Sequence, residues 1–226
     1  MISIKNLSKA FGTKKVLHYI SFSLEKGKVY GIVGENGAGK TTLFNCIVGL
    51  DSHQGEVNAQ ISPLKNHTGF LQTEPFFYSK ITGREYLQLF CNARGIALGK
   101  DVDFNIFNLP LADYVGSYST GMKKKLALIA ILLQKNDFYI LDEPFNGVDI
   151  ESNFIISEII ARLKHNCKTV LISSHIFSTL SDTCDEILVL KEGRIARTVQ
   201  REDFSKLDSE LKSFTVDGLL DRCDFL

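Results

Sequence analysis

The chain has 226 residues, 44% of them hydrophobic, which is enough to bury a full core as one domain or as one domain with a subdomain. Lys and Arg together number 26 and Asp and Glu 26, so the formal net charge is zero and bulk attraction to nucleic acid or anionic lipid gets no support. The cysteines (Cys46, Cys91, Cys167, Cys184, Cys223) are scattered without a C-x-x-C pair, so neither a zinc site nor a redox dithiol is suggested, and reduced thiols are expected.

No leader is expected at Met1 to Lys5, which lacks the charged-then-apolar pattern of a signal peptide. Ile20, Phe22 and Leu24 alternate with polar residues, as a half-buried strand does. Val29 to Val33 is a short apolar run that ends in glycines and meets a helical stretch from Lys40 to Val48, with Gly49 as its stop. Gly55 to Ala59 and Thr68 to Gln72 read as further strands. Thr82-Gly83-Arg84-Glu85 is a capping box that opens a helix to about Arg94. A second helix is expected from Ser119 to about Gln134. It contains the longest wholly apolar run, Leu126 to Leu133, far short of the roughly 20 residues a membrane helix needs. The stretch Ile96 to Gly116, with its glycines and proline, gives no clear pattern.

Phe138 to Leu141 is a buried strand, and Glu151 to Lys164 is helical with Phe154, Ile155, Ile159 and Leu163 on one side. Thr169 to Ile172 is another buried strand. Ile187 to Leu190 and Arg194 to Val199 flank the hairpin turn Glu192-Gly193. In the tail, Phe204, Leu207 and Leu211 recur at helical spacing. Strands alternating with helices imply an α/β fold on a mainly parallel sheet, with an antiparallel part from the strand pairs. The expected organisation is a single domain. Residues 1–75 and 126–200 form its α/β core, 76–125 a helical subdomain, and 201–226 a tail.

Gly34-Glu35-Asn36-Gly37-Ala38-Gly39-Lys40-Thr41 fits G-x-x-x-x-G-K-S/T without a mismatch, and Thr42 follows. Its glycines let the backbone curl so that several N–H groups point at one phosphate chain, at the positive end of the next helix. Lys40 is expected to reach the β- and γ-phosphates and the Thr41 hydroxyl to ligate Mg²⁺. Phe138-Tyr139-Ile140-Leu141-Asp142-Glu143 sets two carboxylates at the end of a buried strand. Asp142 is expected to hold Mg²⁺ directly or through water, and Glu143 to activate the attacking water.

Two further patterns carry no function. Asp101-Val102-Asp103 begins like a calcium loop, but Ile106 and Ala112 stand where that loop needs Gly and Glu. Cys223-Asp224-Phe225-Leu226 mimics a prenylation box, but Asp224 is not aliphatic.

Ser119-Thr120-Gly121-Met122, preceded by Tyr118 and standing ahead of Asp142-Glu143, resembles the signature sequence of ABC ATPases. Asn146-Gly147-Val148-Asp149 resembles their D-loop, Gln72 their Q-loop glutamine, His175 their switch histidine, and Phe11 the aromatic that stacks on adenine. The resemblance covers residues about 1 to 200 and implies a P-loop NTPase (RecA-like) fold with a helical signature subdomain. It implies an ATPase in which Gln72 contacts Mg²⁺ and the attacking water, His175 the γ-phosphate, and Asp149 a dimer interface. The partners it implies are a second ATPase subunit, whose Ser119, Thr120 and Gly121 complete the ATP site, and a separate membrane-spanning permease. The expected location is cytoplasmic, peripheral at the inner face of the cell membrane, through that permease alone. Tyr118, Thr120 and Met122 depart from the commonest signature, Leu-Ser-Gly-Gly-Gln, and resemble the subgroup serving ABC-2-type exporters. The following Lys123-Lys124-Lys125 reads as a solvated helix face, and Phe76-Phe77-Tyr78 as a docking anchor for the permease or as packed rings.

A soluble ABC machine is the alternative, but this stretch has no coiled-coil insertion or zinc module. A GTPase would want Asn-Lys-x-Asp, which Gln134-Lys135-Asn136-Asp137 does not match, and a kinase would not need the signature. A non-hydrolysing subunit is disfavoured because Lys40, Asp142, Glu143 and His175 are all present.

Overall fold

Residues 1–99, 104–175 and 177–210 are described by the computed structural model. The calcium-like start, Leu211, and Cys223 with the last residues lie outside them. The strands β1 (Ile2–Phe11) and β2 (Lys14–Leu24) pair antiparallel, and β3 (Val29–Val33) leads through the glycine loop into helix α1 (Lys40–Val48). β4 (Gln54–Ala59) returns to β1, giving a three-stranded antiparallel sheet β2-β1-β4. Then come β5 (Thr68–Leu71), α2 (Gly83–Asn92), α3 (Thr120–Leu133), β6 (Phe138–Asp142), α4 (Ile150–His165) and β7 (Thr169–Ser173). The short helix α5 (Phe177–Thr183) precedes the hairpin of β8 (Glu186–Lys191) and β9 (Arg194–Gln200).

The larger sheet runs β5-β6-β7-β3-β8-β9, parallel except for β9, which is antiparallel to β8. Its central strands are buried on both faces, so they read as apolar runs rather than as alternations. Successive side chains enter opposite cores. Val29 and Val33 of β3, Tyr139 and Leu141 of β6, and Val170 and Ile172 of β7 pack on the α3, α4 and α5 side. Tyr30 and Ile32, Phe138 and Ile140, and Leu171 face α1 and the small sheet. The helical segment adds Tyr86, Leu87, Phe107, Leu109, Leu111 and Val115 to the first core, and Val115 opens a short 3-10 turn, Val115–Ser117, ahead of α3.

Three details differ from the sequence reading. β1 is absent from it because the strand is bulged: its register slips between Ile4 and Leu7, Leu7 and Lys9, and Lys9 and Ala10, so its apolar residues lose the period of two. On α4 the inward face is centred on Ile156 and Ile160. Phe154 is 73% exposed, because two residues from Ile156 is over half a helical turn away. The lysine run is not a solvated face: Lys124 is buried and Lys125 mostly so. The tail is helical over residues 204–210, with Phe204 and Leu207 buried and the Phe204 ring 6.3 Å from that of Phe177.

The α2 capping box is complete: the Glu85 amide donates to Thr82 Oγ1 at 3.2 Å and the Thr82 amide to Glu85 Oε2 at 2.8 Å. Thr82→Ala is expected to destabilise the fold by about 1 kcal/mol. Urea denaturation checks this, and an unchanged midpoint would remove the cap from the helical segment's stability.

Candidate functional site

The carboxyl ends of β3, β5, β6 and β7 open onto one side of the sheet, where open α/β folds place their ligands. A cavity of about 740 Å³ lies there. Its walls are Asn36, Gly37, Gly39, Lys40, Thr41 and Thr42 from the glycine loop and α1, Thr73, Asp142, Glu143 and Asn146, and His175. Lys14, Lys15, Val16 and His18 of β2, with Glu192 and Gly193 of the β8–β9 turn, close the far end.

The loop needs its glycines, since Gly37 and Gly39 hold φ of 83° and 106°, in the left-handed region that other residues avoid. Gly39 stands at the N-cap of α1 without a side-chain cap, which leaves the first-turn amides to an anionic ligand. Lys40 is 8% exposed, and its ammonium donates to the carbonyls of Gly34 at 2.7 Å and Glu35 at 3.3 Å. It lies 4.0 Å from Glu143 Oε1. A phosphate oxygen can therefore replace two neutral acceptors with a charged one.

Asp142 is fully buried. Its Oδ1 accepts from Ser173 Oγ at 2.6 Å, and its Oδ2 from Thr41 Oγ1 at 2.6 Å and Thr73 Oγ1 at 2.8 Å. Two hydroxyls and a carboxylate oxygen thus converge, a hard-oxygen set that fits Mg²⁺. Glu143 adopts φ of 52°, a conformation costing a non-glycine residue on the order of 1–3 kcal/mol. Its amide donates to Ser173 Oγ at 2.9 Å, and its Oε2 lies 2.8 Å from His175 Nδ1. Carboxylate and imidazole therefore form one polar pair facing the cavity.

Asn36, Gly37, Gly39, Lys40, Thr41, Thr42, Asp142, Glu143 and His175 line one cavity. Gly34, Glu35 and Ala38 belong to the same loop but are not among the cavity walls, and the Ala38 amide donates to the Glu35 carbonyl at 3.1 Å. Phe11 is 50% exposed at the end of β1 with the Lys9 ammonium 4.6 Å from its ring, and it does not line the cavity. Gln72 is not among the residues lining the cavity, whereas Thr73 stands on its wall beside Asp142. Neighbouring residues leaving a strand point to opposite sides, so a shift of one position exchanges them. Sequence reasoning also missed Ser173, whose only signal was its place after an apolar strand.

Ser119, Thr120, Gly121 and Asp149 stand away from the cavity walls. Ser119 is the N-cap of α3, its Oγ accepting from the Met122 amide at 3.2 Å, and Ser119 and Thr120 are exposed. Asp149 caps α4 by accepting from the Ser152 amide at 2.8 Å. That bond, with those to Lys125 and the Ser152 hydroxyl, holds its carboxyl well below the usual range.

The family model described as "ABC transporter" matches residues 17–146. The chain belongs to the ABC transporter family. It is 32% identical over 229 residues to a bacitracin transport ATP-binding protein of Enterococcus faecalis, covering 96% of this chain and 74% of the relative. It is 28% identical over 236 residues to a linearmycin resistance ATP-binding protein of Bacillus subtilis, covering 97% and 76%. A solved ATP-binding subunit of an ABC transporter matches with a TM-score of 0.80 at 25% identity, over 92% of this chain and 93% of that one. This ABC chain is accordingly an ATP-binding and ATP-hydrolysing subunit, on a P-loop NTPase fold. No helix among its described residues is long and apolar enough to cross a membrane.

Proposed function

We propose that this ABC subunit energises export through a separate membrane-spanning permease, working as half of an ATP-dependent dimer at the inner face of the membrane. The observation that carries the reading is the division of the site. The cavity gathers the phosphate loop with Asp142, Glu143 and His175, while Ser119, Thr120 and Gly121 stand off its walls at the exposed N-terminus of α3. A γ-phosphate on the loop of one subunit leaves one side open to such a helix end from a second. ATP then favours the closed pair because it touches both halves, and ADP does not. In this reading residues 1–75 and 126–200 serve as the core that binds nucleotide, 76–125 as the signature subdomain, and 201–226 as a tail.

In each site Lys40 turns from the Gly34 and Glu35 carbonyls to the β- and γ-phosphate oxygens. The free amides of α1 cradle the same oxygens, and Phe11 offers its exposed face to adenine. Glu143 takes the proton of the attacking water as oxygen bonds the γ-phosphorus and the bond to the ADP oxygen breaks. His175 holds the Glu143 carboxylate in place and contacts the γ-phosphate. Asp142, Thr41 and Thr73 would hold Mg²⁺, which when bound neutralises charge on the phosphates. Asp149 acts across the dimer interface in addition to capping α4.

Export is supported by the Tyr118-to-Met122 form of the signature and by a relative named for antibiotic resistance. Both relatives reported above are transport or resistance proteins, which leaves a soluble machine without support. For permease docking, Phe76 and Tyr78 are 71% and 64% exposed with rings 5.1 Å apart, whereas Phe77 packs on Tyr86 at 4.5 Å. The anchor is therefore the outer pair.

Glu143→Gln is expected to lower ATP turnover by roughly 10²- to 10⁴-fold and to trap an ATP-bound dimer. Light scattering at saturating ATP checks this, and a monomer under those conditions would sink the sandwich for the isolated subunit. Thr73→Val is expected to weaken Mn²⁺ binding to the nucleotide complex by about 10-fold or more, read by electron paramagnetic resonance. Gln72→Ala should change that affinity little, and the reverse ranking would restore Gln72 as the metal-side residue. Replacing Phe76 and Tyr78 together by Ala should spare ATP binding and abolish co-purification of the permease. Retained co-purification would remove them from the docking face.

A further inference from the structure

Lys124 is 3% exposed on a helix otherwise rich in apolar residues. A buried ammonium is costly unless fully bonded, so it is a poor choice for packing alone. Its Nζ donates to the carbonyl of Glu143 at 2.8 Å and to that of Asn146 at 2.9 Å. These are the two ends of the turn Glu143-Pro144-Phe145-Asn146, which the Asn146 amide closes onto the Glu143 carbonyl at 3.1 Å. Glu143 sits in left-handed backbone, which a non-glycine residue keeps only where its surroundings over-determine it. Its amide is fixed by Ser173 of β7 and its carbonyl by Lys124 of α3, so the direction of its carboxylate is set from both sides.

Two more contacts hold the same segment to the same helix. Lys125 Nζ reaches Asp149 Oδ2 at 3.0 Å and Ser152 Oγ at 3.2 Å. Gly121 lies so close that a Cβ there would stand 2.6 Å from the Gly147 carbonyl oxygen. The segment from Glu143 to Asp149 thus lies along α3 and is fastened at Gly121, Lys124 and Lys125. Burial pushes the Lys124 ammonium below its usual value, against the pull of Glu143, Asp142 and Glu74.

We propose that Lys124, assisted by Lys125, is a positioning residue for ATP hydrolysis that couples the signature helix to the orientation of Glu143. Displacement of Ser119 to Gly121 moves α3, and the lysines carry that movement to the turn bearing Glu143. The helix end that meets a neighbour's nucleotide is thereby linked to the carboxylate that serves the subunit's own. The proposal rests on Glu143 acting as the base.

The test uses the full chain, with steady-state ATP hydrolysis, binding of a fluorescent ATP analogue, and circular dichroism as a folding control. Lys124→Met keeps the stem and removes the donors. It is expected to lower kcat by about 10-fold or more, as misplaced catalytic groups do, with KM and nucleotide affinity within about 2-fold. Lys124→Gln, which keeps amide donors, should recover part of that loss. Lys125→Met, at a less buried position, should lower kcat less, again without a change in KM. Combined with Glu143→Gln, Lys124→Met should slow the residual rate no further. An unchanged kcat in Lys124→Met would overturn the proposal, as would a parallel loss of ATP affinity, or a Gln variant as slow as the Met variant. If Lys124→Met does not fold, an unchanged kcat in Lys125→Met overturns it. A wild-type rate in Glu143→Gln would instead overturn the base assignment itself.

Discussion

The site is organised around one buried charge. Asp142 has no exposed surface, and a carboxylate in that position is tolerable only if its lone pairs are met. They are met by hydroxyls from three different places: Ser173 at the end of β7, Thr41 in the first turn of α1, and Thr73 just past β5. The sheet order β5-β6-β7-β3 makes this possible, because β6 lies between β5 and β7, and the loop after β3 turns α1 back across it. Removing any one donor would leave part of a buried charge unpaired. The relative placement of the phosphate loop, the end of β5 and the end of β7 is thus fixed by the same few bonds.

That constraint spreads to the next residue. The β6–β7 register sets Asp142 opposite Ser173, and one hydroxyl serves both residues: it donates to Asp142 and accepts from the Glu143 amide. Glu143 is thereby turned into left-handed backbone, and its side chain swings from the strand direction into the cavity toward Lys40 and His175. Two consecutive carboxylates so acquire different environments, one buried among hydroxyls and the other lining open space between an ammonium and an imidazole.

Legibility in the sequence followed the physics that each feature uses. The phosphate loop was readable because its glycines are forced by backbone geometry and its lysine by charge, both local demands. β3, β6 and β7 were readable because burial on both faces leaves an unbroken apolar run. β1 was not, because bulges erase the period of two, and Phe154 was misplaced because an aromatic ring on a helix says nothing about which way that helix is rotated. Thr73 and Ser173 were missed for a different reason. A lone hydroxyl carries no pattern, and its role comes from what the sheet sets beside it. The three lysines show the same limit, since consecutive charges look like solvent-facing residues until the neighbouring turn is known to need donors.

Helix α3 therefore carries more than its N-terminus. Tyr118, just before the helix, is 4% exposed, and its hydroxyl donates to the Pro110 carbonyl at 2.7 Å. It packs so closely on Gly83 that a Cβ there would come within 2.5 Å of the Tyr118 oxygen. A leucine at this position could fill the volume but could not satisfy that carbonyl. Tyrosine in place of the commoner leucine thus ties the helix forward into the helical segment, while Lys124 and Lys125 tie it back to the turn after β6. Phe77, between the exposed Phe76 and Tyr78, packs on Tyr86 of α2, which belongs to the same apolar core as α3. From α3 the lysine bonds lead to the backbone of Glu143. Both ties lie at the N-terminal part of α3, so the start of the helix is held by the helical segment on one side and by the turn after β6 on the other.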